Sequence, residues 1–135
     1  MAFLIDTSVW TRKRQAHVAG RLRELALLDM IWTCRAVDLE LAYSERSSLV
    51  SHLSSQRLLL LDAPVTTDVV DRSLRLAVLM AERGLHRHAK PIDLIIACAA
   101  MASDLTILHY DRDFDHIGSV TGQPTEWVNP PGTLD

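Results

Sequence analysis

Ala2-Phe3-Leu4-Ile5-Asp6 decides the reading of the fold, because an uninterrupted apolar run stops abruptly on a carboxylate. Such a short run reads as a buried strand, with Asp6 just past its carboxyl end. Ser8 to Arg14 then reads as a short helix with a basic end. Ala19, Leu22, Leu25, Ala26 and Leu28 share a helical face and predict a second helix. Ile31 to Cys34 reads as a short strand, and a helix from about Ala36 to Ser44 carries Leu39, Glu40 and Leu41. A further helix is expected over Leu49 to Gln56. The run Leu58 to Leu61 reads as a strand covered on both faces, as in parallel sheets.

Thr67 or Asp68 is placed to cap the next helix, whose apolar positions are Val70, Leu74, Ala77, Val78 and Ala81. Gly84 is its natural stop. Leu85 to Lys90 is a short polar loop. Pro91 suits the first turn of a helix running to about Ser103, apolar nearly all round and therefore central. Thr106 to His109 reads as another strand, followed by the acidic turn Asp111-Arg112-Asp113-Phe114-Asp115, and Glu126 to Val128 as an edge strand. Strands alternating with helices define an α/β fold with a mostly parallel sheet.

The chain of 135 residues fits one domain spanning 1–135, with about 129–135 expected as a frayed tail. It is 48% hydrophobic and 23% charged, an ordinary globular balance rather than a disordered one. Cys34 and Cys98 sit in apolar stretches without metal-ligand spacing, which argues against a zinc site or a disulfide scaffold. Asp6 breaks the first apolar run too early for a secretory leader. The longest such run, Leu94 to Ala102, is about half of what crosses a bilayer, so a cytoplasmic protein is expected. Fourteen basic residues against 17 acidic ones leave a net charge of −3. That balance favours nucleic acid only if the acids gather in one pocket and the basic residues surround it.

The acids do fall in that way. Sites in open α/β sheets form beyond the carboxyl ends of the strands, where Asp6 and Asp111 both lie. Asp93 is in the first turn of its helix, and Glu40 is the acid within Leu39-Glu40-Leu41-Ala42. Singly, each has a plain alternative: Asp6 as a helix cap, Asp93 as a partner of the helix dipole, Glu40 as a solvated residue, Asp111 as part of a polar turn. Together they conflict, since two carboxylates about 4 Å apart repel by roughly 4 kcal/mol at an effective dielectric near 20. Raised pKa values or a bound cation would relieve this, and oxygen-only ligands favour Mg²⁺ or Mn²⁺.

In that order these residues resemble the PIN domain, and more narrowly the VapC toxins of bacterial toxin–antitoxin pairs. Phe3 to Trp10 is similar to the family's first strand, acid and following hydroxyl. Glu40-Leu41 resembles the second acid, Pro91 to Ala97 the third at the head of a buried helix, and Leu108 to Phe114 the fourth. Ser44 departs from the glycine often found a few residues after the second acid. Three aspartates in the last block leave its ligand ambiguous; Asp111 is preferred, Asp113 comes second, and Asp115 reads as a solvated or capping residue.

The resemblance implies a PIN-like three-layer α/β/α sandwich and an Mg²⁺-dependent endoribonuclease, with Mn²⁺ as a substitute. It also implies inhibition by a VapB-like antitoxin and a homodimer. Asp6, Asp93 and Asp111, with Glu40 and Asp113 as further donors, would hold one or two ions that activate water for in-line attack. Thr7 or Ser8 would orient a carboxylate or a water, helix capping being nearly as good a reading. Arg12, Lys13 and Arg14 follow the first acid, and Arg83, Arg87 and Lys90 precede the third. Arg12, Arg14, Arg87 and Lys90 are the RNA-phosphate candidates, against a solvated or salt-bridged alternative. His86, His88 and His109 read as structural or surface residues, and Trp10, Trp32 and Trp127 as packing or interface residues, with base stacking as the lesser alternative. A DNA nuclease, a phosphatase using the same acids, a non-catalytic PIN-like binding domain and a phosphoacceptor receiver domain are the competing readings.

Overall fold

A computed structural model of the chain describes residues 1–28, 30–44 and 60–134. Strand β1 (Phe3–Ile5) leads to α1 (Thr7–Trp10) and α2 (Ala16–Leu27), then β2 (Ile31–Thr33) and α3 (Arg35–Ser44). Next come β3 (Leu61–Asp62), α4 (Thr67–Glu82), a 3₁₀ turn (His86–His88) and α5 (Pro91–Ala102). The order ends with β4 (Thr106–His109), α6 (Asp113–Thr121) and β5 (Thr125–Trp127). The helix expected over Leu49–Gln56, and Leu58 and Leu59 of the expected strand, lie outside the described residues.

The five strands are all parallel, in the order β3-β2-β1-β4-β5. Leu4 pairs with Trp32 on one side and Ile107 on the other. Leu4, Ile5, Ile107 and Leu108 expose no surface, because a parallel sheet is covered on both faces and its inner strands are apolar throughout. From β1 the chain steps outward to β2 and β3, then returns to β4 beside β1 and steps away to β5. Right-handed crossovers taken in opposite directions send the helices to opposite faces, which yields the expected α/β/α sandwich. α5 is central as predicted: Leu94 and Ile96 to Ala100 are buried, and it packs against α3, α4 and α6.

Several local expectations are corrected. α1 ends at Trp10, not Arg14. In α2 Val18, Leu22 and Leu25 are buried, while Ala26 and Leu28 are exposed. α4 is capped by Thr66, whose hydroxyl accepts from the Val69 N–H (3.2 Å), rather than by Thr67 or Asp68. Its buried face is Val69, Ser73, Leu76 and Met80. The stripe Val70, Leu74 and Val78 faces outward instead, with Leu74 68% exposed. Both residues of β3 are exposed, since β3 is the edge of the sheet. The acidic turn continues into α6, which the sequence pattern did not reveal. In the stretch expected to fray, Leu134 is buried; its N–H donates to the Tyr110 hydroxyl (2.8 Å), which donates to the Leu134 carbonyl (3.1 Å).

Candidate active site

All strands being parallel, their carboxyl ends share one edge, and β1 beside β4 is where the chain's crossovers diverge. Ligand sites of open α/β sheets form at such switch points. Asp6 directly follows β1, and its N–H donates to the Leu108 carbonyl of β4 (2.9 Å). Asp111 follows β4 by two residues, Asp93 lies in the first turn of α5, and Glu40 lies on α3.

The structure brings all four together. Single oxygens of Asp6, Glu40 and Asp93 lie within 4.8 Å of one another, and so do single oxygens of Asp93, Asp111 and Asp113. Asp93 belongs to both trios. Asp113, ranked second in sequence, stands beside Asp111. Asp115 points elsewhere and accepts from the Trp127 indole N–H (3.0 Å).

Each acid has one oxygen tied down. Asp6 Oδ2 accepts from the backbone N–H of Ser8 (2.9 Å) and from its hydroxyl. Glu40 Oε1 accepts from the Thr7 hydroxyl (2.7 Å). Asp93 Oδ2 accepts from the Lys90 N–H (3.1 Å), and Asp111 Oδ1 from the Asp113 N–H (2.9 Å). Among the described residues the second oxygen of each makes no hydrogen bond, and Asp6 Oδ1 is buried without a partner. Asp6 therefore does cap α1, but with half of its carboxylate. A buried carboxylate oxygen that meets no donor is costly, and a hard cation satisfies such an all-oxygen set. The residues present thus fit Mg²⁺ or Mn²⁺.

Electrostatics agree with the geometry. Burial, reinforced by Glu40 and Asp111, pushes Asp6 up to about 6 against the Ser8 hydrogen bonds. Burial and then the Asp6 charge push Asp93 up to about 7. Asp113 is raised by burial and by Asp111. Lys90 is exposed, yet Asp93 first and then Asp111, Glu40 and Asp113 raise its pKa. Arg12 donates to the Ser8 carbonyl (2.8 Å) and lies over the Tyr110 ring (4.7 Å), beside the first acid. Arg14 and Arg87 are exposed, and among the described residues they make no such contact.

Two residues at this edge carry more than sequence reasoning gave them. The Tyr110 N–H donates to Ser8 Oγ (2.8 Å), which joins β4 to the Asp6 turn. His109 is fully buried, its Nδ1 accepts from the Asp111 N–H (3.2 Å), and burial lowers its pKa to about 4. The signal for His109 was its place two residues before Asp111, where a side chain can accept from the turn.

Acids in this order on this sheet define the PIN fold, and the PIN domain model matches residues 3–120. The chain belongs to the PIN-domain family, and within it to the VapC group. It is 37% identical to Ribonuclease VapC18 of Mycobacterium tuberculosis, over 99% of this chain and 100% of that protein. It is 36% identical to Ribonuclease VapC51 of the same organism, over 100% of this chain and 98% of the other. The fold is similar to VapBC2 of Rickettsia felis bound to a promoter DNA fragment: TM-score 0.76, 19% identity, 94% of this chain and 98% of that one. DNA-bound VapBC of Salmonella typhimurium gives 0.76 at 19% identity, covering 96% of this chain and 99% of that one.

Proposed function

We propose that this protein is a metal-dependent endoribonuclease, the toxin of a toxin–antitoxin pair. The carboxylate centre carries the reading: four acids at one sheet edge, each with one oxygen tied and one untied. The names of its relatives and the VapBC likeness support the ribonuclease activity and a VapB-like antitoxin. Asp6, Asp93 and Asp111, with Glu40 and Asp113 alongside, would hold Mg²⁺ (or Mn²⁺), which when bound would supply the charge that holds the scissile phosphate and activates water for in-line attack. Ser8 and Thr7 hold the tied oxygens of Asp6 and Glu40 and so fix the direction of the untied ones. Lys90, Arg12, Arg14 and Arg87 bind flanking phosphates, which is how a protein with an acidic net charge engages RNA. Hydrolysis by water leaves a 5′-phosphate and a 3′-hydroxyl, and a 2′,3′-cyclic phosphate product refutes the mechanism.

The protein also pairs with a second copy. The outward stripe of α4, Val70, Leu74 and Val78, is flanked by exposed Asp71 and Arg75. In an antiparallel pairing about a twofold axis, Leu74 meets its copy and Arg75 approaches Asp71 of the other helix.

Purified, partner-free protein incubated with total RNA tests the activity. Cutting is expected with Mg²⁺, none with EDTA, and none with folded Asp93→Asn. Single-stranded DNA in parallel separates a deoxyribonuclease, and cutting that survives EDTA and the substitution overturns the reading.

A further inference from the structure

We propose that His109 is a positioning residue that sets the direction of Asp111 by holding the turn on which it stands, an inference that rests on the nuclease reading. His109 ends β4 and exposes no surface. Its Nδ1 accepts from the Asp111 N–H at 3.2 Å, and Asp111 Oδ1 accepts in turn from the Asp113 N–H at 2.9 Å. These two bonds, each reaching two residues on, form a relay from the strand end into the first turn of α6. The ring is wedged between Phe114 (centroids 5.3 Å apart) and Trp127 (4.9 Å), so its orientation is locked from two sides.

The alternative is that His109 merely fills space. One atom decides between the two. An Nδ1 that accepts puts the ring hydrogen on Nε2, and Nε2 is buried without a hydrogen-bond partner among the described residues. A space-filling residue would carry no such liability, because leucine or phenylalanine leaves no buried N–H unsatisfied. The histidine keeps an unfavourable N–H at one end of its ring and presents an acceptor to Asp111 at the other. Hydrogen-bond partners that orient a ligating carboxylate typically change metal affinity or activity by roughly 10- to 100-fold when removed.

The test compares His109→Asn, His109→Gln and His109→Leu. Asparagine can place its amide oxygen near the position of Nδ1 and accept from the Asp111 N–H, as in an Asx turn. Glutamine carries its amide out to the Nε2 end, and leucine has no acceptor. Mn²⁺ affinity is read by paramagnetic resonance of free Mn²⁺, and RNA cleavage by kcat and KM. Melting of the metal-free proteins confirms that each variant is folded.

We expect Gln and Leu to weaken Mn²⁺ binding by roughly 10- to 100-fold and to lower kcat with KM little changed. Asn should stay within about threefold of the wild type even where it melts lower. Wild-type Mn²⁺ affinity in both Gln and Leu overturns the proposal, as does an Asn variant as impaired as Leu. If Leu does not fold, Asn against Gln still decides. Failure of the wild type to cut RNA overturns the nuclease reading alone, while the Mn²⁺ series still judges His109.

Discussion

Asp6 and Asp93 are held up near 6 and 7, against an ordinary value of 3.8, chiefly by burial. A raised folded-state pKa means that the folded protein binds the proton more tightly than the unfolded chain does. Their contribution to stability is therefore fully present below about pH 4 and is lost as pH rises through 6 and 7. In EDTA, the part of stability that these two groups control should fall between about pH 4 and 7 and level off above that. Mg²⁺, which competes with the proton for the same oxygens, should raise the melting temperature at pH 8 and do little at pH 5. Melting curves on a pH-by-metal grid check this; equal Mg²⁺ protection at both pH values would refute it. Asp93→Asn should lower cleavage by at least about 100-fold. It should also flatten the metal-free pH dependence, since it removes the more perturbed of the two carboxyls. The pairing of tied and untied oxygens was not legible in the sequence. It depends on backbone N–H groups of Ser8, Lys90 and Asp113, whose direction is set by helix starts that periodicity locates only within a few residues.

Among the elements, β1, β4 and α5 were legible because each is an apolar run bounded by a clear stop: Asp6, Tyr110-Asp111, and Pro91. α4 was legible as a helix but not in its orientation. It carries two apolar faces, Val69-Leu76-Met80 and Val70-Leu74-Val78, and only packing against α5 and α6 selects the first. The start of α4 shifted for a related reason: Thr66, Thr67 and Asp68 are all capping types, and the extended backbone of Thr66 settles it. Thr66→Ala should thus cost about 1 kcal/mol, while Thr67→Ala should be close to neutral; urea titrations of both will tell. α6 was missed because Asp113, Asp115 and Gly118 mask its apolar positions Phe114 and Ile117. Its end is marked by Gly122, whose φ of 75° suits a left-handed helix cap.

At the scale of the whole molecule, the acid centre was legible as a set because parallel strands send their carboxyl ends to one edge, whatever the loops do. Which face a second copy would use was not, since a sequence pattern cannot separate core from interface. If α4 pairs as proposed, Leu74→Glu should convert a dimer to a monomer in sedimentation, and that monomer should stay folded, since within the single chain Leu74 is 68% exposed. An unchanged mass for the variant would place the contact elsewhere. Tyr110 has a reach of a different kind: its N–H meets Ser8, its ring lies beneath Arg12, and its hydroxyl exchanges two hydrogen bonds with Leu134, 24 residues on. The C-terminal residues therefore end a mechanical linkage that begins at the first carboxylate. For anyone handling the protein, a change at Leu134 is therefore not neutral for the acid centre, distant though it is in sequence.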